Sequence, residues 1–153
     1  SAGRMKFNSQ SVALNSFIEE IIQNLAPPEN IKITIQQEMP TISTEKVALE
    51  QVFSNLISNA IKYNTSENPE MKIRYKELER HFEFCIEDNG PGIAPEFHDK
   101  IFIIFQTLQS RDKIESTGVG LAIVKKIVED KNGTVWVDSD KGKGTRFYFT
   151  WHK

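Results

Sequence analysis

Two hydrophobic periods alternate along the chain, one of three to four residues and one of two. Val12, Phe17, Ile18, Ile21, Ile22 and Leu25 recur at helical spacing, and Pro27-Pro28 stops that helix because proline has no N–H to donate. Ile31, Ile33 and Ile35 alternate with polar residues as in a half-buried strand. Pro40 to Ser43 reads as a turn, and a long helix is expected from there to about Tyr63. On it Leu49, Val52, Phe53, Leu56, Ile57, Ala60 and Ile61 share one broad face, while Asn55, Ser58, Asn59 and Lys62 fall on the other. Met71-Ile73-Tyr75 and Phe82-Phe84-Ile86 alternate on either side of a short connection, Glu77 to Arg80, so an antiparallel hairpin ending at Asp88 is predicted. A short helix from about Pro95 to Phe105 and a polar stretch from Gln106 to Thr117 follow. A helix from Gly120 to Lys131 is then closed by Asn132-Gly133. Val135 and Val137, then Phe147, Phe149 and Trp151, flank a glycine-bearing turn at Asp140 to Gly144 and predict a closing hairpin.

Helices mixed with hairpins, rather than strictly alternating with strands, favour an α+β fold. Its expected form is a two-layer α/β sandwich with helices on one face of a mixed, largely antiparallel sheet. With 153 residues, 39% of them apolar, the chain can bury one core, so residues 1–153 are expected to form a single domain. A net charge of −2 with interspersed signs offers no basic field for nucleic acid and no lysine-rich helix for a membrane surface. The one cysteine, Cys85, cannot form an internal disulfide and lacks metal-ligand spacing, which fits a reducing, cytoplasmic setting. No apolar run approaches the roughly 20 residues that span a bilayer.

Three polar segments could carry chemistry. Asn55 and Asn59 lie one helical turn apart and could aim two amide oxygens at one point, with Lys62 adding positive charge a turn later. The plain alternative is a solvated helix face. Yet such a face usually carries strong helix formers, and asparagine is a poor one. A hydrated Mg²⁺ on a polyphosphate suits the combination, because magnesium takes few protein oxygens and keeps substrate phosphates. Asp88-Asn89-Gly90-Pro91-Gly92 reads first as a tight turn, which accounts for the glycines and proline but not for the carboxylate. An Asp at a strand end could accept a hydrogen bond from the exocyclic amine of adenine. Gly118-Val119-Gly120 precedes the expected helix, where free N–H groups and the positive helix end favour phosphate. It is not a dinucleotide fingerprint, since Ser110 to Ser116 are too polar for the buried strand that motif requires, and Ala122 and Ile123 break the spacing.

Taken in order, with Phe102 and Phe105 between the second and third segments and Gly142-Lys143-Gly144-Thr145 after them, these motifs resemble the ATP-binding domain of bacterial sensor histidine kinases. The resemblance covers essentially the whole chain from Phe7, and its superfamily includes type II topoisomerase, Hsp90 and mismatch-repair ATPases. Ile101 to Gln109 and Thr117 to Glu129 are similar to the phytochrome-like, PAS-linked branch. The resemblance implies a Bergerat-type ATP-binding fold with ATP and Mg²⁺ as cofactors. It implies Asn59 as metal ligand, Asn55 as a phosphate or metal-water contact, and Lys62 and Tyr63 beside phosphates and nucleoside. Asp88 would bind the adenine amine, Gly90, Gly92 and Ile93 would shape the base pocket, and Thr145 would sit near Asp88. Gly118, Val119, Gly120 and Leu121 would line the phosphates at a helix start. Residues from Pro95 to Thr117 would form a lid with Phe102 and Phe105 as its anchors or as contacts to a helical partner.

Two positions depart from the family pattern. Asn55 stands where hydrolysing relatives often carry a water-activating glutamate, and an amide cannot act as a base, so rapid hydrolysis is not expected. Thr107 stands where many histidine kinases carry a lid arginine, for which Arg111 or Lys113 are the candidate replacements. His81, His98 and His152 have structural readings, so the phosphoacceptor histidine is expected on a dimerisation domain outside these residues, as is the sensor domain. The implied activity is transfer of the γ-phosphoryl group of ATP to that histidine and onward to a response regulator. This domain would be a monomer and the whole kinase a homodimer. An anti-sigma-factor-type serine kinase and a non-catalytic protein-contact module of the same fold are the alternatives.

Overall fold

The structure, a computed structural model, describes residues 8–103 and 111–153, with 111–119 as backbone alone. The chain runs β1 (Ser9–Ala13), α1 (Leu14–Leu25), β2 (Lys32–Ile35), β3 (Thr41–Glu45), α2 (Lys46–Lys62), β4 (Glu70–Glu77) and β5 (His81–Asp88). Two single 3₁₀ turns follow, Pro95–Phe97 and Lys100–Phe102, then α3 (Arg111–Asp130), β6 (Val135–Ser139) and β7 (Thr145–His152). Five strands form one sheet in the order β2-β4-β5-β7-β6, in which only the β2–β4 pair is parallel.

Strand alternation decides which side of this sheet is core. Met71 and Ile73 on β4, Phe84 and Ile86 on β5, and Phe147, Phe149 and Trp151 on β7 are buried under the helices. Phe53 of α2 joins the two layers, with its ring 5.2 Å from Phe84, 5.3 Å from Phe149 and 6.2 Å from Phe17 of α1. The opposite face is polar. There Glu87 pairs with Arg74 and Arg146, and Arg146 with Asp138, so alternating charges cross four strands. Beside them Trp136 stacks on Tyr148 at 5.2 Å.

The sequence pattern misplaces three features. Val12 belongs to β1, not to the first helix, because this β-branched residue is register partner to Ile42 and both are buried. Residues 41–43 accordingly form part of β3 instead of a turn, and their Ser/Thr-rich alternation hides a two-stranded β1–β3 ribbon. Trp151 fastens the ribbon to the large sheet by donating its indole N–H to Thr44 Oγ1 at 2.7 Å, and Lys131 at the end of α3 pairs with Glu45. The expected helix from Pro95 is instead two 3₁₀ turns closed by i→i+3 bonds, such as His98 N–H to Pro95 O at 3.1 Å. Between them the His98 ring lies 2.9 Å from the Ile93 carbonyl. Finally, α3 starts at Arg111, nine residues before the expected start at Gly120, because the polar run 111–116 contains Arg, Lys and Glu, all good helix formers.

Candidate nucleotide site

β5 ends in Asp88, whose register partner on β7 is Thr145. Both lie on the core side of the sheet, Thr145 buried and Asp88 half-buried. The chain then turns back so that the Gly90 N–H donates to Asp88 Oδ1 at 2.8 Å. A Cβ at Gly90 would sit 2.9 Å from that oxygen, and this explains the glycine. Burial pushes the Asp88 carboxyl up to about 6, with Glu87 adding to the rise and the Gly90 hydrogen bond and Arg146 opposing it. Gly92, at φ +78°, passes so close to the β6–β7 turn that a Cβ would meet the Asp140 carbonyl oxygen at 2.0 Å. Ile93, packed against the core, donates its N–H to Ser139 Oγ at 2.8 Å.

Two residues of this end escape sequence reading. Asn89 accepts the Glu70 N–H at 2.7 Å and the Asn64 amide at 2.9 Å, and donates to the Asn68 carbonyl at 2.9 Å, so it ties the strand end to the 64–69 loop. Ser139 is buried and contacts Ile93, the Gly144 carbonyl and the Thr145 hydroxyl. Nothing marks it in the sequence beyond a polar residue at a strand end.

The end of α2 abuts this turn. A Cβ at Gly90 would lie 3.4 Å from the Tyr63 carbonyl oxygen and 3.3 Å from Asn64 Cα. Asn55, Ser58 and Asn59 are half-buried, as is Tyr63, while Lys62 is exposed. Asn55 Nδ2 donates to the Gln51 carbonyl at 2.8 Å. Its Oδ1 faces α3 at Gly120, where a Cβ would come within 2.8 Å. The bare backbone of Gly120 therefore lets the amide oxygen approach α3. Gly118, Val119 and Gly120 lie inside α3 and not at its start, and the Leu121 side chain is core, 2% exposed. Phe102 is buried edge-on to Phe147 at 6.0 Å, whereas Phe105 and the side chains of Arg111 and Lys113 fall outside the described residues.

The neutral amides of Asn55 and Asn59 are of a chemical kind that a hard cation accepts beside phosphate oxygens. Among the described residues no group of three or more His, Cys, Asp or Glu is placed to hold a metal ion. No described helix is long and apolar enough to cross a membrane.

Residues 44–153 match the family of histidine kinase-, DNA gyrase B- and HSP90-like ATPases, and the chain belongs to that family. Within it, its relatives are phytochrome-type and other sensor histidine kinases. It is 48% identical over 112 residues to cyanobacterial phytochrome A of Nostoc sp., covering 73% of this chain and 15% of that protein. Against cyanobacterial phytochrome B of the same organism it is 38% identical, over 97% of this chain and 20% of the relative. The chain thus spans a fifth or less of the length of these relatives. Among solved structures, the catalytic domain of histidine kinase ThkA superposes with a TM-score of 0.75 at 28% identity, covering 95% of each chain. The mycobacterial sensor histidine kinase MprB shares the fold with a TM-score of 0.79 over 94% of this chain and 97% of that one, at 23% identity. The expected α+β, two-layer class with a mixed sheet is the observed one.

Proposed function

We propose that this single domain binds Mg²⁺-ATP and transfers the γ-phosphoryl group to a histidine on a separate helical dimerisation domain, from which a response regulator takes it. The observation that carries the reading is Asp88, a half-buried carboxylate with one oxygen held by the Gly90 N–H and the other without a hydrogen-bond partner among the described residues. Burying such a group is costly unless it recognises a donor, and the exocyclic amine of adenine is one. Thr145, Ile93 and the glycines at 90 and 92 frame the base. From Tyr63 back to Asn55 the helix runs about 12 Å, which separates the base end from a phosphate end at Asn55, Asn59 and Lys62. Mg²⁺ would draw on Asn59 and on phosphate oxygens, and would neutralise charge on the transferring group. Gly118 and Gly120 each weaken α3 by about 1 kcal/mol relative to alanine, so its first turns can unwind there and release N–H groups toward phosphate. Arg111 or Lys113 would add lid charge. Catalysis would rest on positioning and charge stabilisation, since Asn55 cannot serve as a base.

Calorimetric titration of ADP and a non-hydrolysable ATP analogue, with and without Mg²⁺, tests this in wild type and Asp88→Asn. Binding in the micromolar to submillimolar range is expected, magnesium-sensitive for the triphosphate and lost in the variant. Absence of binding in wild type would leave a protein-contact module as the better account. Phosphorylation of a serine-bearing partner, and of no supplied histidine domain, would favour the serine-kinase alternative.

A further inference from the structure

Ser139, the last residue of β6, is 6% exposed and opposite Thr145 in the β6–β7 pairing, while Thr145 is opposite Asp88 in the β5–β7 pairing. Three groups converge on its Oγ: the Gly144 carbonyl at 2.6 Å, the Ile93 N–H at 2.8 Å and Thr145 Oγ1 at 3.1 Å. A hydroxyl owns one proton and two lone pairs. The Gly144 carbonyl can only accept, so the Ser139 proton goes there. The Ile93 N–H can only donate, so it occupies one lone pair. The remaining contact therefore runs from the Thr145 O–H to the second lone pair of Ser139. Ser139 is then saturated, and the Thr145 proton is committed inside the protein. What Thr145 has left are lone pairs.

We propose that Ser139 is the positioning residue that sets base specificity: by holding the Thr145 proton it makes the Asp88–Thr145 pair a double acceptor, selective for 6-aminopurine over 6-oxopurine nucleotides. The inference rests on the nucleotide-binding reading above. The exocyclic amine of a 6-aminopurine can donate its two N–H bonds to these two acceptors, whereas a 6-oxopurine offers a single N1–H donor beside an O6 acceptor. It could satisfy Asp88 with N1–H only if Thr145 turned its proton toward O6, and in the wild-type site that proton is taken. Removing the Ser139 hydroxyl frees it, and the site can then take either base.

The test is calorimetry of ADP and IDP, both with the same phosphates, on wild type, Ser139→Ala and Ser139→Thr, each checked for folding by circular dichroism. The wild type is expected to prefer ADP by about tenfold or more, the order of one well-placed hydrogen bond. Ser139→Ala should compress that ratio severalfold toward one, and Ser139→Thr, which keeps a hydroxyl, should retain it. If Ser139→Ala does not fold, Ser139→Cys carries the same expectation, because a thiol is a weak acceptor of similar size. Equal loss of affinity for both nucleotides in the variants, or an unchanged ratio, would reduce Ser139 to a structural residue and overturn the proposal. A wild type that binds ADP and IDP equally overturns the specificity assignment alone, whereas one that binds neither overturns the nucleotide-binding reading beneath it.

Discussion

Asp88 shows how a single residue can be set against the stability of its own fold. Its carboxyl, ordinarily near 3.8, stands at about 6 in the folded chain because burial disfavours the charge. Between those values the folded state holds the proton more tightly than the unfolded one, so the protonated form's contribution is fully present below about pH 4 and lost as pH rises through 6. At pH 7.5 the carboxylate is therefore a net cost. Asp88→Asn should raise stability there by about 1–2 kcal/mol, with the gain shrinking toward pH 4. Thermal melts of both proteins from pH 4 to 8 check it, and a variant less stable than wild type at pH 7.5 would contradict it. Asp88 was legible as a carboxylate at a strand end, and Asn55 and Asn59 as a polar stripe of weak helix formers. Ser139 was not, since its role depends on two loops that meet only in the tertiary structure.

At the scale of elements, periodicity marked α1, α2 and the two hairpins, whose apolar residues repeat cleanly. It failed where polar composition outweighed the pattern, as in β3, where Thr41 and Ser43 resemble a turn until Val12 pairs with Ile42. It failed again at α3, where the sequence from Arg111 to Thr117 is polar apart from Ile114 and offers no hydrophobic period. The α2–α3 contact makes a sharper prediction. Gly120→Ala should gain up to about 1 kcal/mol of helix propensity. Among the described residues, its new methyl would meet the flexible Asn55 side chain, at 2.8 Å from Oδ1. Thermal stability should hold or rise slightly, while the displaced amide weakens binding of the Mg²⁺-triphosphate more than of ADP. Melting curves beside calorimetry separate the two effects, and equal weakening of both nucleotides would show that Asn55 does not serve the phosphate end.

Many buried side chains join the layers of the whole molecule, and Phe53 makes the clearest bridge among them. It is fully buried and meets aromatic rings from α1, β5 and β7. Phe53→Ala should cost about 3–5 kcal/mol, against the 5–15 kcal/mol that holds a typical domain together. Urea denaturation checks this, and a loss below about 1 kcal/mol would mean that the core collapses freely around the gap. The charge ladder on the far face, by contrast, is largely solvated, so its pairs should contribute little each. The two tryptophans also give this molecule a built-in pair of optical reporters. Trp151 sits in the core with its N–H on Thr44 of the small ribbon, and Trp136 lies stacked on Tyr148 on the opposite face of the large sheet. With Trp136 replaced by phenylalanine, emission would come from Trp151 alone. A red shift that precedes loss of far-ultraviolet dichroism would then reveal the β1–β3 ribbon detaching while the five-stranded sheet still stands.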